Sequence, residues 1–205
     1  MSEAPRHHED GDGAALIWVR YLARGRVASI RPMQSRDAET LQAYVRGLTR
    51  ECRRNRFLGA LNELSPQELA RLTDGRRPGR KTLMVEIHAQ GRRQMIGEAP
   101  YAIAVDTVTC EFAISVTDLW QRRGIGTLML SILEAEAAKR GVRHLVADAF
   151  ADNEAVKAFA EKNGFAIGFN RDDARLVQLR KRIDRQQIAP DAPSGRRLIQ
   201  RVLHS

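Results

Sequence analysis

The sequence predicts an α+β fold built on a mixed, mostly antiparallel sheet flanked by helices. Three observations carry that expectation. Residues 82–89, 95–105 and 110–116 are apolar, β-branched segments separated by turn-like stretches, the pattern of a β-meander. Helical periodicity precedes that block and returns after it. Beyond the meander the order becomes helix, strand, helix and two strands, so helices and strands are partly segregated along the chain.

Residues 1–13 are polar, rich in Glu, Asp, His and Gly, and read as a disordered leader. Residues 16–21 and 27–30 are short β-prone runs on either side of Arg24-Gly25. Ser35 is the expected cap of a helix that carries Ala38, Leu41, Val45 and Leu48 on one face. A basic segment, 50–56, follows. Ser65-Pro66-Gln67-Glu68 is a strong helix start. Serine accepts a free backbone N–H, proline sits where no N–H is needed, and glutamate reaches back to the cap. Leu69 and Leu72 form the apolar side of that helix, and Asp74-Gly75 ends it.

Residues 74–81 are a loop, and the meander comes next. A helix over 124–140 then places Ile125, Leu128, Met129, Ile132 and Leu133 on one stripe and closes at Gly141. Residues 144–150 read as a strand, 153–163 as a helix ended by Gly164, and 165–169 and 176–179 as strands. One domain is therefore expected over 14–183. A basic extension containing Pro190, Pro193 and Gly195 is expected over 184–205.

Composition bounds the function. A chain of 205 residues holds one ordinary domain with a real core. No stretch reaches the roughly 20 apolar residues that span a bilayer, and the N-terminus has no apolar stretch like a signal peptide's. Cys52 and Cys110 stand alone, with no metal spacing and no disulfide framework. The reading is a cytoplasmic protein without a metal or a membrane partner. Lys and Arg total 34 against 25 Asp and Glu, a net charge of +9. Such a surface favours anionic partners. No aromatic residues interleave the charges of 180–201, so nucleic acid should bind weakly and without sequence preference.

The most informative stretch is Val116-Thr-Asp-Leu-Trp-Gln-Arg-Arg-Gly-Ile-Gly-Thr127, where an extended strand runs into a glycine turn and a long helix begins. The first N–H groups of a helix have no internal partner, and the helix dipole adds positive charge, so a phosphate is held well there. Glycine lets the backbone approach the ligand closely. A P-loop is excluded because Thr127 follows Gly126 with no lysine between them. A dinucleotide fingerprint lacks its third glycine, since that position is Met129. What remains, Gln121-x-x-Gly124-x-Gly126, resembles the pyrophosphate-binding motif of the GNAT superfamily of acyl-coenzyme A-dependent N-acyltransferases.

A second match lies downstream. Asn153-x-x-Val156-x-x-Phe159, followed by Glu-Lys-Asn-Gly164-Phe165 after one residue, resembles the superfamily's helix and strand over the coenzyme A arm. Upstream, Arg31-Pro32-Met33, the segment 50–59, which contains Arg56-Phe57-Leu58-Gly59, and the segment 63–72 are similar to the opening helices of bacterial protein lysine acetyltransferase domains. The resemblance covers roughly 27–181. It implies a splayed sheet that admits acetyl-coenzyme A and an acetyl transfer to an amine, with a protein lysine as the candidate acceptor, by direct attack in a ternary complex.

The resemblance also implies site residues. Backbone groups of Ile114 and Val116 face the pantetheine, with the Val116 N–H near the thioester oxygen to stabilise a developing oxyanion. The amides of Gln121, Arg122, Arg123, Gly124, Ile125, Gly126 and Thr127 wrap the pyrophosphate, and Asn153 contacts the pantetheine or holds the loop. Two positions depart from the common pattern. Ala160 stands where a tyrosine often protonates the leaving thiolate, so no acid is carried over. Arg122 replaces a frequent glycine, which alters loop geometry. Glu111 stands where the similar lysine acetyltransferases place their catalytic glutamate. Only on the order of one lysine amine in a thousand is neutral near pH 7.4, so a base is needed. Shielding of this carboxylate by the surrounding apolar strands would raise its pKa, which suits a base. A strand glutamate paired with an arginine is the alternative for Glu111. Two other functions stay open: a small-molecule N-acetyltransferase acting on a polyamine, amino acid or antibiotic, and a non-catalytic acyl-coenzyme A sensor. The acceptor, the acyl chain preference and the oligomeric state do not follow from the sequence.

Overall fold

Apolar residues recurring along successive strands build one sheet, which the computed structural model describes for residues 18–21, 27–89 and 91–183. The expected leader and the basic extension lie outside the described residues. The strands are β1 (Trp18–Tyr21), β2 (Val27–Pro32), β3 (Arg80–Ala89), β4 (Arg92–Ile103), β5 (Thr109–Phe112), β6 (Ser115–Val116), β7 (His144–Phe150), β8 (Ala166–Phe169) and β9 (Leu176–Arg182). Among the described residues their order is β1-β2-β3-β4-β5-β7-β9-β8, with β6 pairing β4 beyond the end of β5. Only β5 and β7 run parallel; the remaining pairs are antiparallel. The expected α+β architecture is the observed one.

Helices α1 (Ala38–Gly47), α2 (Arg50–Phe57) and α3 (Pro66–Thr73) cover one face of the sheet, and α4 (Ile125–Lys139) and α5 (Glu154–Lys162) lie on the other. Met33, Met84 and Met95 meet Leu41, Tyr44 and Val45 of α1 on the first face. Ile30, Leu83, Val85 and Ile96 meet Ile125, Met129 and Ile132 of α4 on the second. A third cluster joins Cys110, Leu145 and Leu179 to Leu130 and Leu133 of α4 and Ala160 of α5. Among the described residues no helix is long and apolar enough to cross a membrane.

Two local expectations needed correction. Ser35 does not cap α1. A 3₁₀ turn over 35–37 leads into the helix, because Arg31 grips both oxygens of Asp37 at 2.7 Å and the Gln34 N–H donates to the same carboxylate at 2.8 Å. The last strand runs to Arg182 instead of stopping at Leu179, since β9 pairs with β7 along the whole of His144–Phe150. The basic segment is a helix, as the resemblance to the opening helices implied. α2 buries no side chain fully, and three polar contacts fix it. Thr49 caps it by accepting the Cys52 N–H at 3.2 Å, Arg53 donates to the terminal carbonyls of α1, and Arg56 pairs with Glu98.

The start of α3 is as expected. Ser65 Oγ accepts the Glu68 N–H at 3.3 Å, and Glu68 accepts the Ser65 N–H at 2.8 Å. Hydrogen bonds from Ser65 hold the Glu68 carboxyl below its ordinary range. Ser65→Ala should destabilise the fold by about 1 kcal/mol. A carboxyl depressed in the folded state stabilises above its unfolded range and loses that contribution as pH falls. Chemical denaturation at pH 7 and at pH 3 should therefore show the difference between parent and variant shrinking at the lower pH.

Candidate active site

The central strands part at a defined residue. β5 and β7 pair from Thr109–His144 to Glu111–Val146 and no further. Beyond that point β6 stays with β4 as far as Val116, while β7 stays with β9 as far as Phe150. A V-shaped gap opens between them, with Glu111 at its apex.

Hydrogen bonding shows what faces the gap. The Ala113 N–H donates to the Pro100 carbonyl at 3.0 Å, and the Thr117 N–H donates to the Ile96 carbonyl at 2.9 Å. In an antiparallel pair such bonds fall on alternate residues. The N–H groups of Ile114 and Val116 therefore point away from β4 and into the gap. That geometry suits an extended amide-bearing chain, as the pantetheine arm of coenzyme A is.

The glycine turn closes the wide end of the V. Arg122 and Gly124 take left-handed backbone angles, φ 57° and 75°. Arg122 thus adopts the left-handed conformation that a glycine would adopt freely, so the turn keeps a glycine-type geometry at this position instead of the altered one expected from the sequence. No side chain caps α4 at Gly124, so the first turn, Ile125, Gly126 and Thr127, presents its N–H groups outward. A Cβ built on Gly126 would meet only Phe159 of α5, at 3.4 Å, and Ile114 Cγ2 at 4.0 Å. Turn, gap and α5 are therefore in contact. Gln121 Nε2 donates to the Val116 carbonyl at 3.0 Å and ties the loop to β6. Arg123 is turned back, its Nε donating to the Leu119 carbonyl at 3.1 Å and its guanidinium lying 5.2 Å over the Trp120 ring. Asn153 caps α5 by accepting the Val156 N–H at 3.1 Å, which leaves its amide nitrogen for other partners.

Alternation along the strands puts Glu111 and Ser115 on the face covered by α1 to α3, opposite α4. Their register partners, Val146 and Glu98, share that face. Glu111 is exposed, so the apolar shielding anticipated around it is absent. Among the described residues no cation pairs with its carboxylate. Ala160 is fully buried in the core, and no hydroxyl stands there. Burial pushes the Cys110 thiol up to about 12 and raises the Cys52 thiol as well. Both sulfurs are held as thiols at neutral pH and are poor candidates for an acyl carrier. Of the strand histidines, His88 is exposed and His144 is half-buried at the far end of β7 from the gap.

One cluster escaped the sequence reading. Glu98 on β4 is fully buried, pairs with Arg56, and accepts from Ser115 Oγ at 3.3 Å, while its Oε2 has no partner. Ser115 in turn shares a 2.8 Å hydrogen bond with the Tyr44 hydroxyl, whose pKa burial and the Glu98 charge both raise. A bulge brings Glu98 to this face. Val85 pairs with Gly97 and Glu86 with Met95, so Ile96 is the extra residue and the side-chain alternation flips there.

Comparison with known proteins agrees with this geometry. A sequence model of the acetyltransferase (GNAT) family matches residues 46–165. The chain is 28% identical over 160 residues to Acetyltransferase PA5475 of Pseudomonas aeruginosa, covering 78% of this chain and 86% of that protein. Among solved structures it is similar to the GNAT domain of S. lividans PAT, with TM-score 0.69 and 23% identity over 88% of this chain and 99% of that one. It is also similar to a cAMP-binding acyltransferase from Mycobacterium smegmatis, with TM-score 0.58 and 19% identity over 94% of this chain and 57% of that one. At those identities the two structures bear on the fold alone.

Proposed function

This chain belongs to the acetyltransferase (GNAT) family, and we propose that it acetylates the side-chain amine of a protein lysine, with Glu111 as the base. It is an acetyl-coenzyme A-dependent N-acetyltransferase. The observation that carries the finer reading is the parting of β5 and β7 directly after Glu111, which stands exposed on the sheet face opposite α4. A lysine brought in on a protein surface reaches an exposed carboxylate at the apex of a gap without entering a closed pocket.

Acetyl-coenzyme A supplies the acetyl group as an activated thioester. The Ile114 and Val116 backbone would hold the pantetheine, and the first turn of α4 with the 121–124 loop would hold the pyrophosphate. The Val116 N–H donates to the oxygen on which negative charge develops. Glu111 takes a proton from the lysine nitrogen, directly or through one water, as that nitrogen bonds to the thioester carbon and becomes more acidic. With both cysteines held as thiols, the amine attacks the thioester itself in a ternary complex. The C–S bond of the tetrahedral intermediate then breaks, and coenzyme A leaves as a thiolate that takes its proton from water, since Ala160 offers no acid.

Acetyl-coenzyme A at 100 times its Kd should stabilise the fold by about 2.7 kcal/mol. With labelled cofactor, acetyl groups should pass to lysine-containing peptides in preference to spermidine. A melting temperature unmoved by millimolar cofactor, with no transfer to any amine, contradicts the site as described here. Transfer to spermidine alone contradicts the protein acceptor.

A further inference from the structure

Beside the gap, on the acceptor face, lies a cavity of about 650 Å³ with an unusual lining. Arg50, Arg53 and Arg54 of α2 face Phe150 and Arg175 across it, with Asn62 and the 58–61 turn completing the wall. Phe150 ends β7, four residues beyond Val146, the register partner of Glu111. At about 3.3 Å per residue the cavity wall stands about 13 Å along the strand from the level of Glu111. An extended peptide covers that distance in about four residues.

Three of the four guanidinium groups have partners. Arg53 donates to the carbonyls of Val45, Arg46 and Leu48, Arg54 pairs with Asp152 at 3.4 Å and lies 3.8 Å over the Phe150 ring, and Arg175 pairs with Asp173 at 2.6 Å. Arg50 is different. It is exposed, and nothing among the described residues pairs with it. It is also the first residue of α2, where the helix dipole disfavours a cation. Two carboxylates against four guanidinium groups leave the cavity with an excess of positive charge. Arg53 directs its charge at the carbonyl end of α1, and the charge of Arg50 is matched by nothing among the described residues.

We propose that this cavity recognises the acceptor, taking an acidic side chain that lies within about four residues of the target lysine. The inference rests on the protein-lysine reading above and adds the class of sequence that is acetylated. Arg50 supplies the free cation, and Arg54 can exchange its solvent-exposed partner Asp152 for a carboxylate of the substrate, beside the exposed guanidinium of Arg175. Phe150 and Leu61 give the stem of the acidic side chain an apolar wall.

The test uses the full chain, acetyl-coenzyme A and three synthetic peptides. Each has one lysine and, three and four positions to one side, two glutamates, two alanines or two lysines, and all are compared in both orientations. The glutamate peptide should have a KM about tenfold below that of the alanine peptide, at similar kcat, and the advantage should fade with added salt. Arg50→Glu should abolish or reverse the preference. Its melting temperature should be no lower than the parent's, because it places an anion in the first turn of a helix. A structural role for Arg50 predicts the opposite, a less stable variant with its preference intact. Equal KM values for glutamate and alanine peptides, or a preference that survives Arg50→Glu, overturn the proposal. Should none of the peptides be acetylated while a small amine is, the protein-lysine reading falls, and binding of the fluorescently labelled glutamate peptide still decides the cavity. Tighter binding by the parent than by Arg50→Glu supports it, and equal binding overturns it.

Discussion

Gly126→Asp is expected to lower acetyl-coenzyme A affinity by at least about a hundredfold while leaving the fold as stable as the parent, or slightly more stable. The two effects have one cause. Gly126 lies in the uncapped first turn of α4, where N–H groups and the helix dipole make a local positive potential. An aspartate there satisfies those groups from within the chain, which helps the helix. It also occupies the place of a phosphate with a charge of the same sign, and such juxtapositions cost several kcal/mol. The fold has room for the change. Outside α4 the added Cβ meets side chains first, a Phe159 ring atom at 3.4 Å, an ordinary contact, and Ile114 Cγ2 at 4.0 Å. Gly126→Ala is the control, since it adds the Cβ without the charge and should cost far less. Calorimetric titration with acetyl-coenzyme A, beside melting curves of the free proteins, gives both quantities. Affinity equal to the parent's would mean that the glycine turn starts a helix and does nothing else.

What could be read from the sequence divides along a physical line. Signals that act within a few residues were visible. The Ser65–Glu68 box, the glycine turn before α4 and the Asn153 cap each state their geometry in four to six neighbouring positions. Features decided by distant partners were not. α2 has no apolar stripe and carries four arginines, so nothing local marks it as a helix that packs. Its place is set by Glu98, 42 positions away. Glu98 itself sits in an apolar run where strand alternation would place it opposite Met95. The extra residue at Ile96 turns both to the same face, and no local pattern announces a bulge. The arginine-lined cavity was visible only as a basic segment, because Phe150 and Arg175 complete it from elsewhere in the chain. The exposure of Glu111 follows the same rule. It depends on where β5 and β7 stop pairing and on which helices cover that face.

Exposure changes the argument for Glu111 without removing it, and Glu111→Gln is expected to reduce turnover by about 10²–10⁴-fold with acetyl-coenzyme A affinity nearly unchanged. The carboxylate stands at the last paired residue before the gap, on the face away from α4 and the glycine turn. Cofactor contacts on Ile114, Val116 and the 121–127 segment are made by backbone groups that the substitution does not touch. Glutamine keeps the size of the side chain and removes its basicity, so only the proton transfer should suffer. The competing account makes Glu111 a structural residue held by an arginine, and it requires a partner. Among the described residues there is none, so the variant should melt within about 2 °C of the parent, as surface changes within about 0.5 kcal/mol do. A water-exposed base also predicts how the deficit can be repaired. Raising the pH increases the neutral fraction of the lysine amine and should narrow the gap between Glu111→Gln and the parent, because the variant then depends less on a base it lacks. Turnover within about threefold of the parent at pH 7 shows that Glu111 is not the base, since that margin lies far below the usual loss. A large deficit that stays constant as pH rises points instead to misplacement of the acceptor. Steady-state rates from pH 7 to 9 on the glutamate-flanked lysine peptide, with melting temperatures measured beside them, separate these outcomes.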